Sequence, residues 1–302
     1  VNSARESVAV VIPSWNSVDL LPACIESVRA QGSSVELMVV DNGSVDGSVK
    51  YLRGAGIPHL TLPHNIGFAA AMNLGIARTS APLVLGLNAD TEMEPGAIAA
   101  LVAALAADPG LGGVQPRILQ VDGDAREVVA ARLYSAGMAL TRDGRAIETG
   151  AGEPQVEAWL RGREIFGVCG AACLLRRELL RELGGYDESY FAFYEDVDLN
   201  VRARIRGWRF RYAPEAVVWH VGNASWTAGF ERPGAENARL VARNRLSTQV
   251  KFMSPTAVPL IAVVEVGALL RATRQGRFRA TARGKLEALG RMHATLRERR
   301  AL

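Results

Sequence analysis

Three clusters of carboxylates stand where this chain could do chemistry. The first is Asp41-Asn42-Gly43-Ser44. A carboxylate beside a flexible, donor-rich turn can accept from a ribose hydroxyl or a base N–H, and it can equally form an Asx-turn that only shapes the loop. The second is Asn88-Ala89-Asp90-Thr91-Glu92. It suits a hard cation, since magnesium or manganese takes one or two carboxylates together with diphosphate oxygens. Its alternative is an ordinary helix cap. The third, Glu195-Asp196-Val197-Asp198, opens a helix, where negative charge is favoured whether or not it reacts. Four aromatics precede it, Tyr190, Phe191, Phe193 and Tyr194. Such walls keep a carboxylate basic and suit a sugar ring. His220 closes a later apolar run and is either a structural imidazole or a ligand. Between the first two clusters lies Asn65-Ile66-Gly67-Phe68 and an Ala-rich stretch reaching Asn73. Small residues at a helix start let a diphosphate approach closely, and they also permit tight helix–sheet packing.

Other patterns are missing. The first apolar run ends in Pro13-Ser14-Trp15-Asn16, which is not a G-x-G-x-x-G loop, and Pro13 lacks an N–H for phosphate. No G-x-x-x-x-G-K-[ST] occurs, which weighs against a P-loop enzyme. Cys24, Cys169 and Cys173 form no C-x-x-C pair and are read as buried free thiols in a reducing compartment.

Positioning these residues requires an α/β sheet. Val8–Ile12, Val35–Val40, His59–Leu62 and Leu83–Leu87 are mostly Val, Ile and Leu without polar alternation, as expected for parallel strands covered on both faces. Helical stretches separate them. Leu20, Leu21, Cys24, Ile25 and Val28 recur at helical spacing, and Gly67–Ala77 and Pro95–Ala107 are Ala-rich. Alternation of this kind predicts a doubly wound sheet, with ligands at the carboxyl ends of its strands. The stretch from Gln120 to Gly162 reads as loops and edge strands with little chemistry. Ile165–Leu175 is again apolar. Helices follow at Arg177–Leu183 and from Glu195 to Arg206, then strands at Phe210–Tyr212 and Val217–His220, then helix from about Gly234.

The chain has 302 residues and a net charge of +4. From Arg271 onward ten Lys and Arg stand against two Glu, so this segment carries +8 and the remainder about −4. A basic segment points to an anionic surface, phospholipid or a phosphorylated acceptor, unless it is simply a solvated tail. Val8–Ile12 is too short for a signal h-region. The longest apolar candidate for a membrane span, Ala257–Leu270, is short and holds Glu265.

Taken in order, strand-P-S-W-N, V-D-N-G-S-x-D-G-S, N-x-G-F-A-A-A-x-N-x-G, L-N-A-D-T, G-G-Y-D-E-x-Y-F-x-F-Y-E-D-V-D-L and a strand ending in W-H resemble the family 2 glycosyltransferases, especially their bacterial rhamnosyltransferase branch. The resemblance covers Val8 to Asn223 and continues weakly through Arg243-Asn244-Arg245. It implies a GT-A fold, with a catalytic domain over 1–230 (nucleotide-sugar half to about 118, acceptor half from 119) and a helical, basic extension over 231–302. It implies inverting transfer from a nucleoside diphosphate sugar, with Mg2+ or Mn2+ as cofactor. By the same resemblance Asp196 is the general base, Asp41 holds a pyrimidine base, and Asp90 is the last Asp of the metal motif with His220 as a further ligand. Donor contacts are expected from Pro13, Trp15, Asn16, Asn42, Ser44, Asn65, Gly67, Phe68, Asn73 and Asn88, and acceptor contacts from Tyr194, Glu195 and Trp219. Asn88 stands where many relatives have Asp, and Ala89 where the rhamnosyl-like branch commonly has Pro. Asp90 is therefore the one certain carboxylate of that motif.

The expected donor is dTDP- or UDP-linked, rhamnose first, with another hexose or galactofuranose as the alternative. The expected acceptor is a glycan or lipid-linked hydroxyl in cell-surface polysaccharide or glycolipid assembly. The expected location is cytoplasmic, peripheral on the inner membrane face, with homo-oligomerisation open and nucleic acid excluded as a partner. A nucleotidyltransferase, or a non-catalytic carbohydrate- or membrane-binding module, is the competing reading. The first would want a Gly-rich, Arg- and Lys-bearing loop after strand one, and the second need not keep Asp41, Asp90 and Asp196 together.

Overall fold

The computed structural model describes residues 7–32, 35–121, 131–221 and 234–302. Its frame is one mixed sheet. Strands β1 (Val8–Ser14), β2 (Val35–Asp41), β3 (His59–Thr61) and β4 (Leu83–Leu87) run parallel in the order β4-β1-β2-β3. β1 and β4 are buried along almost their whole length, which explains their unbroken apolar sequences. Helices α1 (Leu21–Arg29), α2 (Ser48–Gly54), α3 (Phe68–Ala77) and α4 (Ala97–Ala106) link and cover them.

The second half of the sheet is mixed. It contains β5 (Thr91–Met93), β6 (Leu111–Gln120), β7 (Arg132–Ser135), β10 (Arg163–Ile165), β11 (Ala172–Arg176) and β12 (Arg209–His220). β11 lies antiparallel between β4 and β6, β12 runs parallel to β6, and β5 pairs antiparallel with the end of β12. A separate ribbon joins β8 (Met138–Leu140) to β9 (Ala146–Glu148).

Two features differ from the sequence expectation. β6 is a long central strand where none is predicted, because Gly112, Gly113 and Pro116 interrupt its apolar run. The glycines have a packing cause: a Cβ would stand 2.3 Å from Leu179 Cδ1 at Gly112 and 2.5 Å from Leu175 Cδ2 at Gly113. The two strands expected at Phe210–Tyr212 and Val217–His220 are one strand, β12, with an irregularity between Ala213 and Val217. The expected division at 118/119 falls within β6, and the one at 230/231 lies outside the described residues.

Helices α5 (Arg177–Leu183) and α6 (Glu195–Ile205) flank the mixed half. The C-terminal layer comprises α7 (Ala235–Phe252), α8 (Val258–Arg274), α9 (Phe278–Gly290) and α10 (Met292–Ala301). α9 approaches α7 closely at Gly284, where a Cβ would meet the Arg239 carbonyl at 2.1 Å. The basic residues here are not all solvated. Arg291 donates to Ser189 O, Lys285 pairs with Glu265, and Arg299 donates to Val250 O and Met253 O at the end of α7. On α8, Glu265 is buried against Arg245 and Lys285, whereas Leu260, Val263, Val266 and Leu270 are exposed. The helical run Pro255–Arg274 has 20 residues and a mean hydropathy of 1.6, long and apolar enough by length and composition to cross a membrane, more than its sequence window suggests.

Candidate functional site

Two adjoining cavities open at the carboxyl ends of the parallel strands. The first, about 370 Å³, is walled by Pro13 and Ser14 at the end of β1 and Trp15 after it, Asn42 after β2, Asn65, Gly67 and Phe68 at the start of α3, Asn88 and Asp90 after β4, and Glu236, Asn237 and Leu240 of α7. The second, about 260 Å³, holds Tyr134, Glu148, Cys169, Gly170, Glu195, Asp196 and His220. Phe68, Asn88, Ala192 and Phe193 line both, so the cavities share a wall.

Backbone–side-chain hydrogen bonds shape the first cavity. Asn42 Nδ2 donates to Asn65 Oδ1 (3.0 Å) and to Gly67 O (3.1 Å), and its Oδ1 accepts from Ile66 N (2.8 Å). Asn16, at φ 50, ties the β1 loop to the β2 loop, donating through its N–H to Ser44 Oγ and accepting from Val45 N at 2.9 Å each. Gly67 must be glycine: its φ is +92 and a Cβ would lie 2.5 Å from Phe191 O. Asp41 is fully buried below this wall. Its Oδ1 accepts from Ser44 N (3.1 Å), and its Oδ2 has no hydrogen bond to a described residue. Asp41, Asn16 and Ser44 therefore support the cavity from behind. Asn73 stands apart, holding Tyr186 by paired 2.9 Å bonds and reaching Glu188.

Asp90 and His220 meet where β5 pairs with β12. Both are buried, and His220 Nε2 lies 3.4 Å from Asp90 Oδ1. The His220 ring tilts over Tyr134 at 4.2 Å between centroids, and neither ring nitrogen makes a hydrogen bond to a described residue. Buried imidazole nitrogens without such partners, beside a carboxylate, fit a divalent cation completed by ligand oxygens.

Asp196 begins α6 on the wall of the second cavity. Its Oδ2 accepts from Gly170 N (3.0 Å) and its Oδ1 from Val197 N (2.8 Å), so the carboxylate is held in one orientation. Burial raises its pKa despite those donors. Glu195 is pushed well above the usual carboxylate range by burial and by neighbouring Asp196. Asp198 faces the other way, paired with Arg202 (2.6 Å) and Lys251 (2.8 Å). The loop before α6 is strained. Phe191, Phe193 and Tyr194 all have positive φ, which costs about 1–3 kcal/mol each in a non-glycine residue. Asn244 of α7 holds it, donating through Nδ2 to Tyr190 O (2.9 Å), Ala192 O (2.8 Å) and Phe193 O (2.7 Å).

Trp219, expected at the acceptor, points away from both cavities. It is buried with Leu119 and Leu133, and its Nε1 donates to Glu94 at 2.6 Å. Tyr134 and Glu148 lie in the stretch from Gln120 to Gly162 that reads as poor in chemistry, yet both enter the second cavity. No local motif marks them. Cys169 likewise adds a buried thiol to that wall.

A family model described as "Glycosyl transferase family 2" matches residues 9–184, more than half of the chain. The chain belongs to this family. It is similar to an N-acetylglucosaminyl-diphospho-decaprenol L-rhamnosyltransferase of Mycobacterium tuberculosis, 30% identical over 209 residues, covering 62% of this chain and 66% of that protein. It is also similar to a pre-mycofactocin glycosyltransferase of the same organism, 29% identical over 271 residues, covering 87% of this chain and 54% of that protein. The chain thus spans between about half and two thirds of these relatives' lengths. Among solved structures, GalNAc-T7 with UDP, GalNAc and Mn2+ superposes with a TM-score of 0.61 at 17% identity, covering 86% of this chain and 54% of that one. The fold is GT-A.

Proposed function

We propose that this chain is an inverting glycosyltransferase that moves a hexose from a pyrimidine nucleoside diphosphate to an acceptor hydroxyl, with deoxythymidine-diphosphate rhamnose the favoured donor. One observation carries the reading: Asp196, oriented by two backbone N–H groups, faces a cavity that shares a wall with the Asn42–Asn65–Gly67 cavity. The latter suits the nucleotide sugar and the former its acceptor. The acceptor hydroxyl attacks the anomeric carbon opposite the diphosphate. Its proton passes to Asp196, and the bond to the diphosphate breaks with its electron pair on the departing oxygen. No covalent enzyme intermediate is needed. A divalent cation, held by Asp90 and His220, would supply charge neutralisation at the diphosphate. Asp41, buried beneath the cavity wall with an Oδ2 that has no hydrogen bond to a described residue, would accept from the pyrimidine N3–H where the base reaches past that wall.

Titration calorimetry with Mn2+ present tests the donor side. Uridine or deoxythymidine diphosphate binds and guanosine diphosphate binds poorly, and equal affinities would refute the base assignment. A transfer assay over a panel of nucleotide sugars then separates rhamnose from another hexose or galactofuranose.

The same reading places the enzyme in the cytoplasm, docked on an anionic membrane face through α8. The exposed Leu260, Val263, Val266 and Leu270 form an apolar face, and the exposed Arg271, Arg274 and Arg279 follow it. Buried Glu265 anchors the opposite side on α7 and α9, which suits a helix lying along the surface. The full chain should sediment with phosphatidylglycerol vesicles at low salt and be released at high salt. V263E/V266E should abolish sedimentation. Indifference to vesicles, with the same double variant dissociating a dimer, would make this face a subunit interface.

A further inference from the structure

We propose that Glu148 is the second working carboxyl group of the acceptor subsite, holding the hydroxyl next to the one that Asp196 deprotonates. The inference rests on the glycosyltransferase reading and names the class of acceptor: a sugar ring with two neighbouring hydroxyls.

The placement is specific. Glu148 ends β9, far in sequence from α6, and the fold brings ligand atoms of Glu148, Cys169 and Asp196 within 4.8 Å of one another. Neighbouring hydroxyls of one ring can reach two oxygens so spaced, each through a hydrogen bond of about 2.7 Å. The cavity still has polar capacity to offer. Glu195 is buried with an Oε2 that has no hydrogen bond to a described residue, and it lines the same space.

Glu148 is held from behind by a directional chain. Gln115 Oε1 accepts from Cys169 N (2.6 Å), which turns its Nε2 to donate to Ser135 Oγ (2.8 Å). Gly137 N also donates to Ser135 Oγ (3.2 Å), and of the two acceptors open to the Ser135 hydroxyl, Glu148 Oε2 (2.5 Å) is much nearer than Gly137 O (3.4 Å). The carboxyl group is thereby oriented by Ser135, with the Cys169 thiol as a second neighbour donating to it, while it lines the cavity.

The two carboxyls differ in what faces them. Asp196 has backbone donors from Gly170 and Val197, which favour its charged form. Glu148 faces the Ser135 hydroxyl from β7, the Cys169 thiol from the loop before β11, and the Asp196 carboxylate from α6. Burial, then the Asp196 charge, pushes it up to about 7. Asp196 thus takes the negative charge first and serves as base, while Glu148 keeps its proton longer and uses it to donate a hydrogen bond to the neighbouring acceptor hydroxyl. Paired groups with separated titrations are a recurrent way to divide acid and base roles.

The test compares wild type, E148Q and E148A with octyl glycosides of several hexoses as acceptors and nucleotide-sugar hydrolysis as the internal reference. Wild-type kcat/KM for the acceptor should be bell-shaped, with an alkaline limb near pH 7. E148Q keeps a donor at every pH, so its alkaline limb should vanish. E148A should raise acceptor KM tenfold or more. Donor KM should stay within twofold in both variants. Superimposable pH profiles for wild type and E148Q, or donor KM rising in step with acceptor KM, would overturn the proposal. If the wild type neither hydrolyses nor transfers from any pyrimidine donor, the glycosyltransferase reading itself fails. If E148A does not fold, the E148Q profile decides alone.

Discussion

The two cavities are built on different plans. The donor-side wall comes from short loops after parallel strands, and its chemistry sits in contiguous runs such as Asp41–Ser44, Asn65–Phe68 and Asn88–Asp90. The acceptor-side wall is assembled from β7, β9, the loop before β11, the start of α6 and the end of β12. In the first case adjacent residues become adjacent wall. In the second, residues tens of positions apart converge, and their neighbours in sequence do other work. A wall of the first kind can therefore persist as a string, whereas a wall of the second kind can change one residue at a time.

That contrast can be broken experimentally. The largest expected effect is at Asp196. D196N should lower transfer by about 10²–10⁴, the usual contribution of a general base, with donor affinity by calorimetry unchanged. A parallel loss of donor binding would mean that the cavities are not separate in function. N244A should come next and strike both sides, since Ala192 and Phe193 line both cavities. Three carbonyls lose their shared donor, and an unsatisfied buried group costs about 1–3 kcal/mol. A stability loss of about 3 kcal/mol in urea titrations, with both KM values raised, is the expected outcome. An effect on acceptor KM alone would sharpen the division instead.

Effects at the cation site should be confined to the donor side. D90N should abolish the stimulation of donor binding by Mn2+. H220A should weaken it by about 10–100-fold, the range seen when support for a metal site is lost. If chelation leaves donor affinity intact, with tightly bound metal excluded by elemental analysis, the pair is structural. The smallest effect is a pH-dependent one at Glu148. Its pKa is raised from 4.5 to about 7, so the fold favours the neutral form, and that contribution is complete below pH 4.5 and lost as pH rises through 7. E148Q cannot lose it. Its Tm relative to wild type should climb between those values and level off above, and a constant difference across the range would contradict the assigned burial.

The legibility of the molecule follows the same line. The parallel strands β1 and β4 are readable because burial on both faces leaves nearly unbroken apolar runs, whereas the half-buried β2 and the edge strand β3 are readable from their short Val- and Leu-bearing runs between helical stretches. β6 is not, because close packing against Leu175 and Leu179 demands the glycines that locally look like a turn. Asp90, Asp196 and His220 are legible as candidates because each stands at a strand end or helix start. Glu148 is not, because a carboxylate in a three-residue strand becomes part of a site only when Ser135 and Asp196 are brought to it. Asn73 shows the opposite case. It sits in a motif whose neighbours line the donor cavity, yet its amide braces the Tyr186 backbone.

Trp219 lines neither of the two cavities and works instead as an index pin. Side chains alternate along a strand, so a slip of one residue between β12 and β5 would carry His220 to the opposite face and remove it from Asp90. The pairing Trp219↔Glu92 and His220↔Thr91 sets that alignment. A large indole buried against Leu119 and Leu133, with its N–H on Glu94, tolerates no neighbouring register. Selection for the proposed metal-binding imidazole would then be felt one position earlier, on a residue that lines neither cavity, and W219A would be expected to part His220 from Asp90 while leaving both in the sequence.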